Sequence, residues 1–281
     1  MSSEVKKTTL AEPPYELGVA LSGGGARGLA HAGALAAIEE AGLRPDVLAG
    51  VSAGSIAAVF YAAGIAPLKI LELFDNQGFT DFVEFRPRKG GFFGTRGFRR
   101  FLADNLKPYK NIEDLPTPVY IGVTDFDRGE PAEFHTGELV DRVVASCSIP
   151  IVFRPVVIDG THYVDGGVLR NHPAWIIRPL CRRLIGVNVS PLASSAGAES
   201  FVGVAMRTYN LMAKANQKVD MQLCDVSVEP REISACRTFD LSMADKLFMS
   251  GYIHTRRALR DAGLWKTGTA GAAQSSPTQK S

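Results

Sequence analysis

Short, continuously apolar segments alternate with longer helical segments through most of this 281-residue chain. The first pair is ELGVALS (16–22) followed by GLAHAGALAAIEEAG (28–42), and the second is DVLAGV (46–51) followed by SIAAVFYAAG (55–64). A glycine ends each predicted helix, as is common at helix C-termini. Strands that are apolar on both faces, each followed by a helix, predict an α/β fold: a mostly parallel central sheet with helices on both faces, in three layers.

The rest of the chain continues this alternation and favours a single domain over residues 15–265. The pattern predicts strands at 118–125, 183–192 and 224–230, a hairpin at 155–167 that turns at Asp159-Gly160, and helices at 138–148, 174–181, 199–220 and 241–263. The polar residues 1–14 are predicted to be a flexible lead-in. The tail 266–281 is small, polar and without aromatic residues, which predicts disorder.

Residues 74–108 interrupt the alternation and are dense in phenylalanine and arginine, which predicts an excursion from the sheet with one helix at about 95–106. The residues concerned are Phe79, Phe82, Phe85, Phe92, Phe93, Phe98 and Phe101, the basic Arg86, Arg88, Lys89, Arg96, Arg99 and Arg100, and the intervening Gly90, Gly91, Gly94 and Gly97. Aromatic and basic side chains together suit a lid that contacts anionic membranes, while a small subdomain with its own core would bury part of them. Both interpretations stay open at this point.

The global charge and the cysteines narrow the possible function classes. The formal net charge of +2 offers no sign of the concentrated basic face that nucleic-acid binding needs. The four cysteines, at 147, 181, 224 and 236, form neither a CxxC pair nor a Cys/His cluster with zinc spacing, so we expect free thiols, no metal and no cofactor. The first sixteen residues lack the apolar core of a signal peptide, and no apolar run has the length of a membrane span. These features predict a cytoplasmic protein that can touch membranes peripherally.

A serine stands between two glycines where the second predicted strand meets the second predicted helix: Gly50-Val51-Ser52-Ala53-Gly54. The pattern G-x-S-x-G between a strand and a helix is typical of a nucleophile elbow. The glycines are needed there because the serine adopts a strained backbone angle and side chains beside it would clash with the strand or the helix. A tight turn rich in small residues would show the same pentapeptide, so Ser52 is a candidate nucleophile.

The glycine run SGGGARG also joins a strand to a helix, and its backbone N–H groups can bind an anion. It does not fit a P-loop, because no Lys-Ser/Thr pair follows. Gly23, Gly25 and Gly28 match the dinucleotide string G-x-G-x-x-G, but no acidic residue ends the next strand, where a ribose would be bound. An oxyanion hole fits better, with Arg27 either adding positive charge nearby or lying in solvent.

The base that would activate the serine is ambiguous from the residues alone. The chain contains five histidines, at positions 31, 135, 162, 172 and 254. His172 lies closest to a candidate aspartate, seven positions after Asp165. Asp165 itself ends an apolar strand before Gly166 and Gly167, which suits either a side chain pointing into a site or an ordinary Asx turn.

Four ordered blocks of this sequence resemble the patatin-like phospholipase family. They are GGGARG (23–28), GVSAG (50–54), ASCSIPIVFRPV (145–156) and DGG (165–167). The similarity runs from about residue 17 to 190, with weaker signal to 262. The chain is most similar to compact bacterial members and to the catalytic domains of neuropathy-target-esterase-like lysophospholipases.

The resemblance implies a serine acyl hydrolase with a Ser-Asp dyad and no catalytic histidine. The residues carried over are Ser52 as nucleophile, Asp165 as base, Gly23, Gly24, Gly25 and Arg27 in the oxyanion hole, Gly50 and Gly54 in the elbow, and Gly166 and Gly167 in support of the site. The implied substrates are fatty-acyl esters of phospholipids or lysophospholipids, cleaved through an acyl-enzyme without metal or cofactor. A soluble carboxylesterase or thioesterase for short acyl chains and a non-catalytic lipid-binding regulator remain alternatives. Ile151 and Arg154 depart from the usual pattern, which leaves the pocket and its chain-length preference open.

Overall fold

A computed structural model describes residues 12–74, 84–88, 91–192, 200–236 and 241–265 of the chain, with only the backbone given at 84–88, 91 and 92. Most of the predicted lead-in 1–14 and the whole predicted tail 266–281 lie outside the described residues. Within the described ranges, no helix is long and apolar enough to cross a lipid bilayer.

The strands and helices follow the alternation expected from the sequence. The strands are β1 Tyr15–Leu21, β2 Val47–Val51, β3 Glu84–Arg88, β4 Gly91–Gly94, β5 Val119–Asp125, β6 Glu130–Phe134, β7 Val156–Ile158, β8 Thr161–Asp165, β9 Cys181–Val187 and β10 Val226–Val228. The α-helices are α1 Leu29–Glu40, α2 Ala53–Ala62, α3 Pro67–Leu73, α4 Arg96–Asn105, α5 Leu139–Ser146, α6 Ala174–Ile177, α7 Phe201–Met221 and α8 Ala244–Asp261.

One sheet organises the fold. Its strand order is β10-β9-β1-β2-β5-β8-β7, and β6 also pairs with β5. The five strands from β10 to β5 are parallel, whereas β6 and β8 run antiparallel to β5, and β7 runs antiparallel to β8. Alternate residues of β1 face opposite layers: Val19 and Leu21 belong to the core shared with α1, α2 and α8, whereas Ala20 packs with α6. The predicted α/β fold with helices on both faces is therefore confirmed.

The local predictions differ from the structure in two places and agree with it at the hairpin turn. The predicted helix at 174–181 ends at Ile177 and tightens into a 3₁₀ turn at Arg178–Leu180, where Pro179 lacks a backbone donor. Strand β6 was not predicted because its sequence, EPAEF, is largely polar. The hairpin turn lies where it was expected, and Asp159 and Gly160 both have left-handed φ angles, 51° and 84°, as a type I′ turn requires.

The excursion at 74–108 contains the antiparallel β3–β4 ribbon as well as helix α4, so it is not purely helical. Phe98 and Phe101 are half-buried against the main core, and the Phe101 ring lies 5.2 Å from that of Phe74 and 5.9 Å from that of Phe60. Phe79, Phe82, Lys89 and Gly90 lie outside the described residues, and the side chains of Phe85, Arg86, Arg88 and Phe92 are not described.

Helices α1 and α8 pack with their backbones in direct contact. A Cβ at Gly251 would overlap the Ala30 carbonyl, and one at Gly33 would overlap the Phe248 carbonyl. Gly33 of α1 and Gly251 of α8 each face the other helix, and their lack of a side chain lets α8 pack directly on α1 on one side of the sheet.

We expect Gly251→Ala to lower the free energy of unfolding by about 3 kcal/mol, because the added methyl group forces two helix backbones apart. Gly42→Ala is the matched control: its Cβ would meet open space, and only its left-handed φ of 74° adds strain, which costs about 1 kcal/mol. Urea unfolding of both variants measures the difference. Equal losses would show that the α1–α8 contact is not close.

Candidate active site

Ser52 follows β2 directly and begins the turn into α2. Its φ of 51° and ψ of −124° lie in a backbone region that residues other than glycine rarely adopt. The Ser52 N–H donates a hydrogen bond of 2.8 Å to Ser146 Oγ, whose own hydroxyl donates 2.7 Å to the Gly122 carbonyl of β5. The strained backbone of Ser52 is thus held by a buried serine on α5.

The glycines that flank Ser52 are required by close backbone approach. A Cβ at Gly50 would overlap the backbone of Gly54 and Ser55 at the start of α2. A Cβ at Gly54 would overlap the carbonyl groups of Leu21 and Ser22 at the end of β1. The turn can therefore lie tightly over the ends of two strands, which places Ser52 on the wall of a cavity above the sheet.

Strand register brings Asp165 to Ser52. Strand β5 pairs with β2 through its first residues, ending with Val51 opposite Gly122. The next residue of β5, Val123, pairs with Asp165 at the end of β8. Strand β2 therefore ends opposite Gly122 and β8 ends opposite Val123, the next residue of β5. This register makes the serine after β2 and the aspartate of β8 neighbours.

The Asp165 carboxyl group is fully buried, and only one of its two oxygens accepts hydrogen bonds. Its Oδ1 accepts hydrogen bonds from the Gly167 N–H (2.8 Å) and from the Tyr209 hydroxyl (3.0 Å). Its Oδ2 has no hydrogen-bond partner among the described residues. Burial raises the pKa of Asp165 to about 6, against the opposing effects of the neighbouring Ser52 hydroxyl and the two donors to Oδ1. The carboxylate is ionised at neutral pH, and its open oxygen can accept a proton.

The glycine loop after β1 presents two backbone N–H groups. The Gly23 N–H donates to the Asn171 carbonyl at 3.2 Å, so this predicted oxyanion donor is already engaged. Within the described parts of the chain, no group accepts from the N–H of Gly24 or of Gly25, which opens a 3₁₀ turn with a φ of 60°. These two donors are available to a developing negative charge.

Arg27 is buried and faces the protein backbone. Its Nε donates to the Gly24 carbonyl at 3.2 Å and its Nη1 to the Pro191 carbonyl at 2.8 Å, and burial lowers its pKa. Arg27 therefore braces the glycine loop against the segment after β9.

Among the described residues, no histidine is hydrogen-bonded to Ser52 or to Asp165. His172 is fully buried beside Gly186 of β9, burial lowers its pKa to about 3, and neither ring nitrogen has a partner among the described residues. His31 donates from Nε2 to the Ser22 carbonyl at 2.8 Å. His135, His162 and His254 lie next to carboxylates near the surface.

Three polar residues of the site were missed by sequence reasoning. Tyr209, Asn216 and Ser146 lie inside helices, where no local pattern marks them as functional. Asn216 donates from Nδ2 to the carbonyls of Gly167 and Val168, so the inner face of α7 clamps the loop that follows Asp165. Ser146 does fall within the block ASCSIPIVFRPV, which was expected only to shape the pocket.

An apolar cavity opens beside Ser52. It encloses about 1000 Å³, its mouth included, and is lined almost entirely by carbon side chains. The side chains that define it include Ile56, Ile70, Phe74, Phe98, Val144 and Ile149. Such a cavity can accept a long hydrocarbon chain whose ester lies at the serine. Among the described residues, no group of three His, Cys, Asp or Glu side chains is placed to hold a metal ion.

A family model described as patatin-like phospholipase matches residues 19–177, which is more than half of the chain. A lysophospholipase of Aspergillus fumigatus is 30% identical over 175 residues, covering 55% of this chain and 10% of that protein. An uncharacterized NTE family protein of Mycobacterium tuberculosis is 33% identical over 168 residues, covering 57% of this chain and 28% of that protein. The chain thus spans only a minor part of the length of these relatives.

Among solved structures, that of VipD from Legionella pneumophila superposes with a TM-score of 0.50 at 16% sequence identity. The superposition covers 89% of this chain and 67% of that one. At this identity the similarity concerns the fold.

We expect Asp165→Asn to raise the free energy of unfolding by about 3 kcal/mol at about pH 8. The pKa of Asp165 is about 6 in the folded protein against an ordinary 3.8, so its contribution to stability falls as the pH rises from about 4 to about 6. Asparagine removes that dependence, and the two proteins should converge below about pH 4. Denaturant unfolding at several pH values measures the effect, with exposed Asp159→Asn as a control expected to change little. A pH-independent difference would contradict the raised pKa.

We expect Tyr209→Phe to move the acidic limb of the kcat/KM profile upward by about one pH unit. The Tyr209 hydroxyl lowers the pKa of Asp165, so its loss lets that pKa rise further above 6. Tyr163→Phe, on the same strand as Asp165 but with its ring against Phe134, is the matched control and should leave the limb in place. An unmoved limb in Tyr209→Phe would show that Asp165 is not the titrating base.

Proposed function

This chain belongs to the patatin-like phospholipase family, and we propose that it hydrolyses fatty-acyl esters of phospholipids or lysophospholipids through a Ser52–Asp165 dyad. The observation that carries the proposal is Ser52, held at a left-handed φ on the wall of an apolar cavity beside a buried carboxylate. The name lysophospholipase borne by its relatives supports the choice of substrate class.

In the first step, Ser52 Oγ attacks the ester carbonyl carbon while its proton passes to Asp165 Oδ2. A base with a pKa of about 6 is ionised at neutral pH and still basic enough to assist. The carbonyl oxygen becomes an oxyanion that the N–H groups of Gly24 and Gly25 can bind, an effect worth about 3–4 kcal/mol per donor. The ester C–O bond then breaks, and Asp165 returns the proton to the departing glycerol oxygen.

In the second step, water hydrolyses the acyl-enzyme. Asp165 takes a proton from the water as its oxygen attacks the acyl carbon, and the same N–H groups bind the second oxyanion. The bond to Ser52 breaks, the serine regains its proton, and the fatty acid leaves. No step needs a histidine, which suits the burial of His172 and its lowered pKa.

The cavity favours a long acyl chain over the short-chain esterase or thioesterase alternative. Its wall is built almost entirely from carbon side chains, including Ile56, Ile70 and Phe98, which suits a long hydrocarbon chain and offers a short polar acyl group few partners. A non-catalytic lipid-binding protein would share this cavity. Lipid binding alone, however, requires neither a serine with a strained backbone nor a buried carboxylate that lowers the stability of the fold at neutral pH.

The cellular location and membrane contact remain predictions. We propose a cytoplasmic protein with peripheral contact to anionic membranes. The part of the 74–108 segment expected to make that contact is partly engaged elsewhere, since Phe98 and Phe101 pack on the core and Arg99 is paired with Asp141. Arg96 and Arg100 are exposed on α4.

We expect a fluorophosphonate probe to label the wild-type protein and Ser227→Ala, an exposed serine control, but not Ser52→Ala.

Asp165→Asn should lower kcat about 10²–10⁴-fold, which is the usual contribution of a general base. A series of p-nitrophenyl esters should give a kcat/KM that rises with acyl length. Labelling of Ser52→Ala would remove Ser52 as nucleophile, and a maximum at acetate would favour the short-chain alternative.

A further inference from the structure

The outer side of α7 is an exposed apolar stripe. Residues 204, 208, 211, 212, 215 and 219 recur at helical spacing on one side of the helix, and they are Val, Thr, Leu, Met, Ala and Val. The exposed fractions are 52% for Val204, 49% for Leu211, 37% for Met212 and 66% for Val219. Helix α7 therefore holds the Asp165 loop with its inner side and presents an outer side, nonpolar over about four turns, to the surroundings.

Ile151 extends this surface from the loop between α5 and β7. It has a φ of 73°, which is rare for a β-branched residue and costs backbone free energy, yet its side chain is 44% exposed. Ile151 and Pro150 form a shallow groove with Val204, Ala205, Thr208 and Met212 of α7. A strained backbone that holds an apolar side chain outward indicates a contact outside the protein.

The exposed charges on α7 and on the loop that carries Ile151 are positive. The exposed side chains of α7 include Lys214 and Lys218 and no acid, since the one acidic residue of the helix, Asp220, is buried and paired with Arg170. Arg154 is exposed in the same loop as Ile151. An apolar helix side with lysines along it is the arrangement that binds anionic lipid interfaces.

We propose that the α7 face, formed by Ile151, Val204, Leu211, Met212 and Val219, docks on the surface of an anionic lipid bilayer. The choice of lipid as partner rests on the proposed function. The loop carrying Ile151 also supplies Ile149 and Phe153 to the cavity beside Ser52. Docking of this face brings the cavity close to the bilayer, from which an acyl chain can enter.

A second copy of the chain fits the α7 face less well. Self-association through this face would bring the lysines of two copies to one interface, with no exposed acid on the helix to pair with them. Anionic headgroups supply that opposite charge over the whole surface, while the acyl region receives the apolar side chains.

The test measures sedimentation of the Ser52→Ala protein with vesicles, so that binding is read without turnover. Vesicles of phosphatidylcholine and phosphatidylserine in equal amounts should bind the protein, and pure phosphatidylcholine vesicles should bind it less. The variant Leu211→Gln/Met212→Gln/Val219→Gln should lower partitioning at least about tenfold, since each side chain loses apolar burial. Replacing Lys214 and Lys218 by glutamine should lower it about fivefold each.

The matched control replaces the same kinds of exposed side chains on other helices: Leu68→Gln/Met249→Gln/Ile253→Gln, with exposed fractions of 58%, 48% and 47%. It should bind vesicles like the parent protein. Ile151→Asn is a second test that does not depend on loss of folding, because asparagine tolerates a left-handed φ. This variant should keep or gain stability and still bind vesicles more weakly.

Equal vesicle binding by the α7 variant and its control would overturn the proposal, as would absence of binding to anionic vesicles. A dimer in light scattering that the α7 substitutions convert to a monomer would assign the face to a second copy instead. Hydrolysis of p-nitrophenyl butyrate, with Ser52 restored, reports on catalysis separately. Vesicle binding through α7 in a protein that hydrolyses no ester would uphold the docking surface and reject the proposed function.

Discussion

The pairing of two strands on one edge of β5 is the constraint on which the site depends. Val51 of β2 and Asp165 of β8 meet consecutive residues of that strand, one pair parallel and the other antiparallel. A shift of the β8 register by one residue would turn Asp165 to the other face of the sheet, and a shift of the β2 register would displace Ser52 relative to it. The same strand also anchors Ser146, which links the Ser52 backbone to the Gly122 carbonyl. Nucleophile, base and their support are thus positioned by the hydrogen bonds of β5.

The arrangement stores unfavourable free energy at the site. Ser52 has a left-handed φ, and the Asp165 carboxylate is buried with one oxygen unpartnered among the described residues. Each feature costs about 1–3 kcal/mol, which the packing of the surrounding sheet and helices must offset. The cost has a chemical counterpart, because the burial that destabilises the carboxylate also raises its pKa to about 6 and makes it a stronger base.

Helix α7 connects the interior of the site to the surface. Its inner side places Tyr209 on the Asp165 carboxylate and Asn216 on the carbonyls of the following loop. Its outer side is apolar and bordered by lysines. An interaction at the outer side would therefore act on the element that holds the base, while the Ile151 loop joins the same surface to the cavity wall.

The sequence by itself determined the α/β class, the elbow at Ser52, the glycine loop and the family, because each of these depends on local spacing and on residues whose backbone demands are specific. Spacing alone left His172 and Asp165 as rival bases, and the resemblance to the family favoured Asp165. In the folded chain, strand register brings Asp165 beside Ser52, whereas His172 is buried beside Gly186. The tertiary structure alone decided that Gly23 is engaged with Asn171, that Arg27 turns to backbone carbonyls, and that Tyr209 reaches Asp165 from a distant helix. These contacts join residues far apart in the chain, and no local pattern encodes a partner that arrives only when the sheet and its helices have packed.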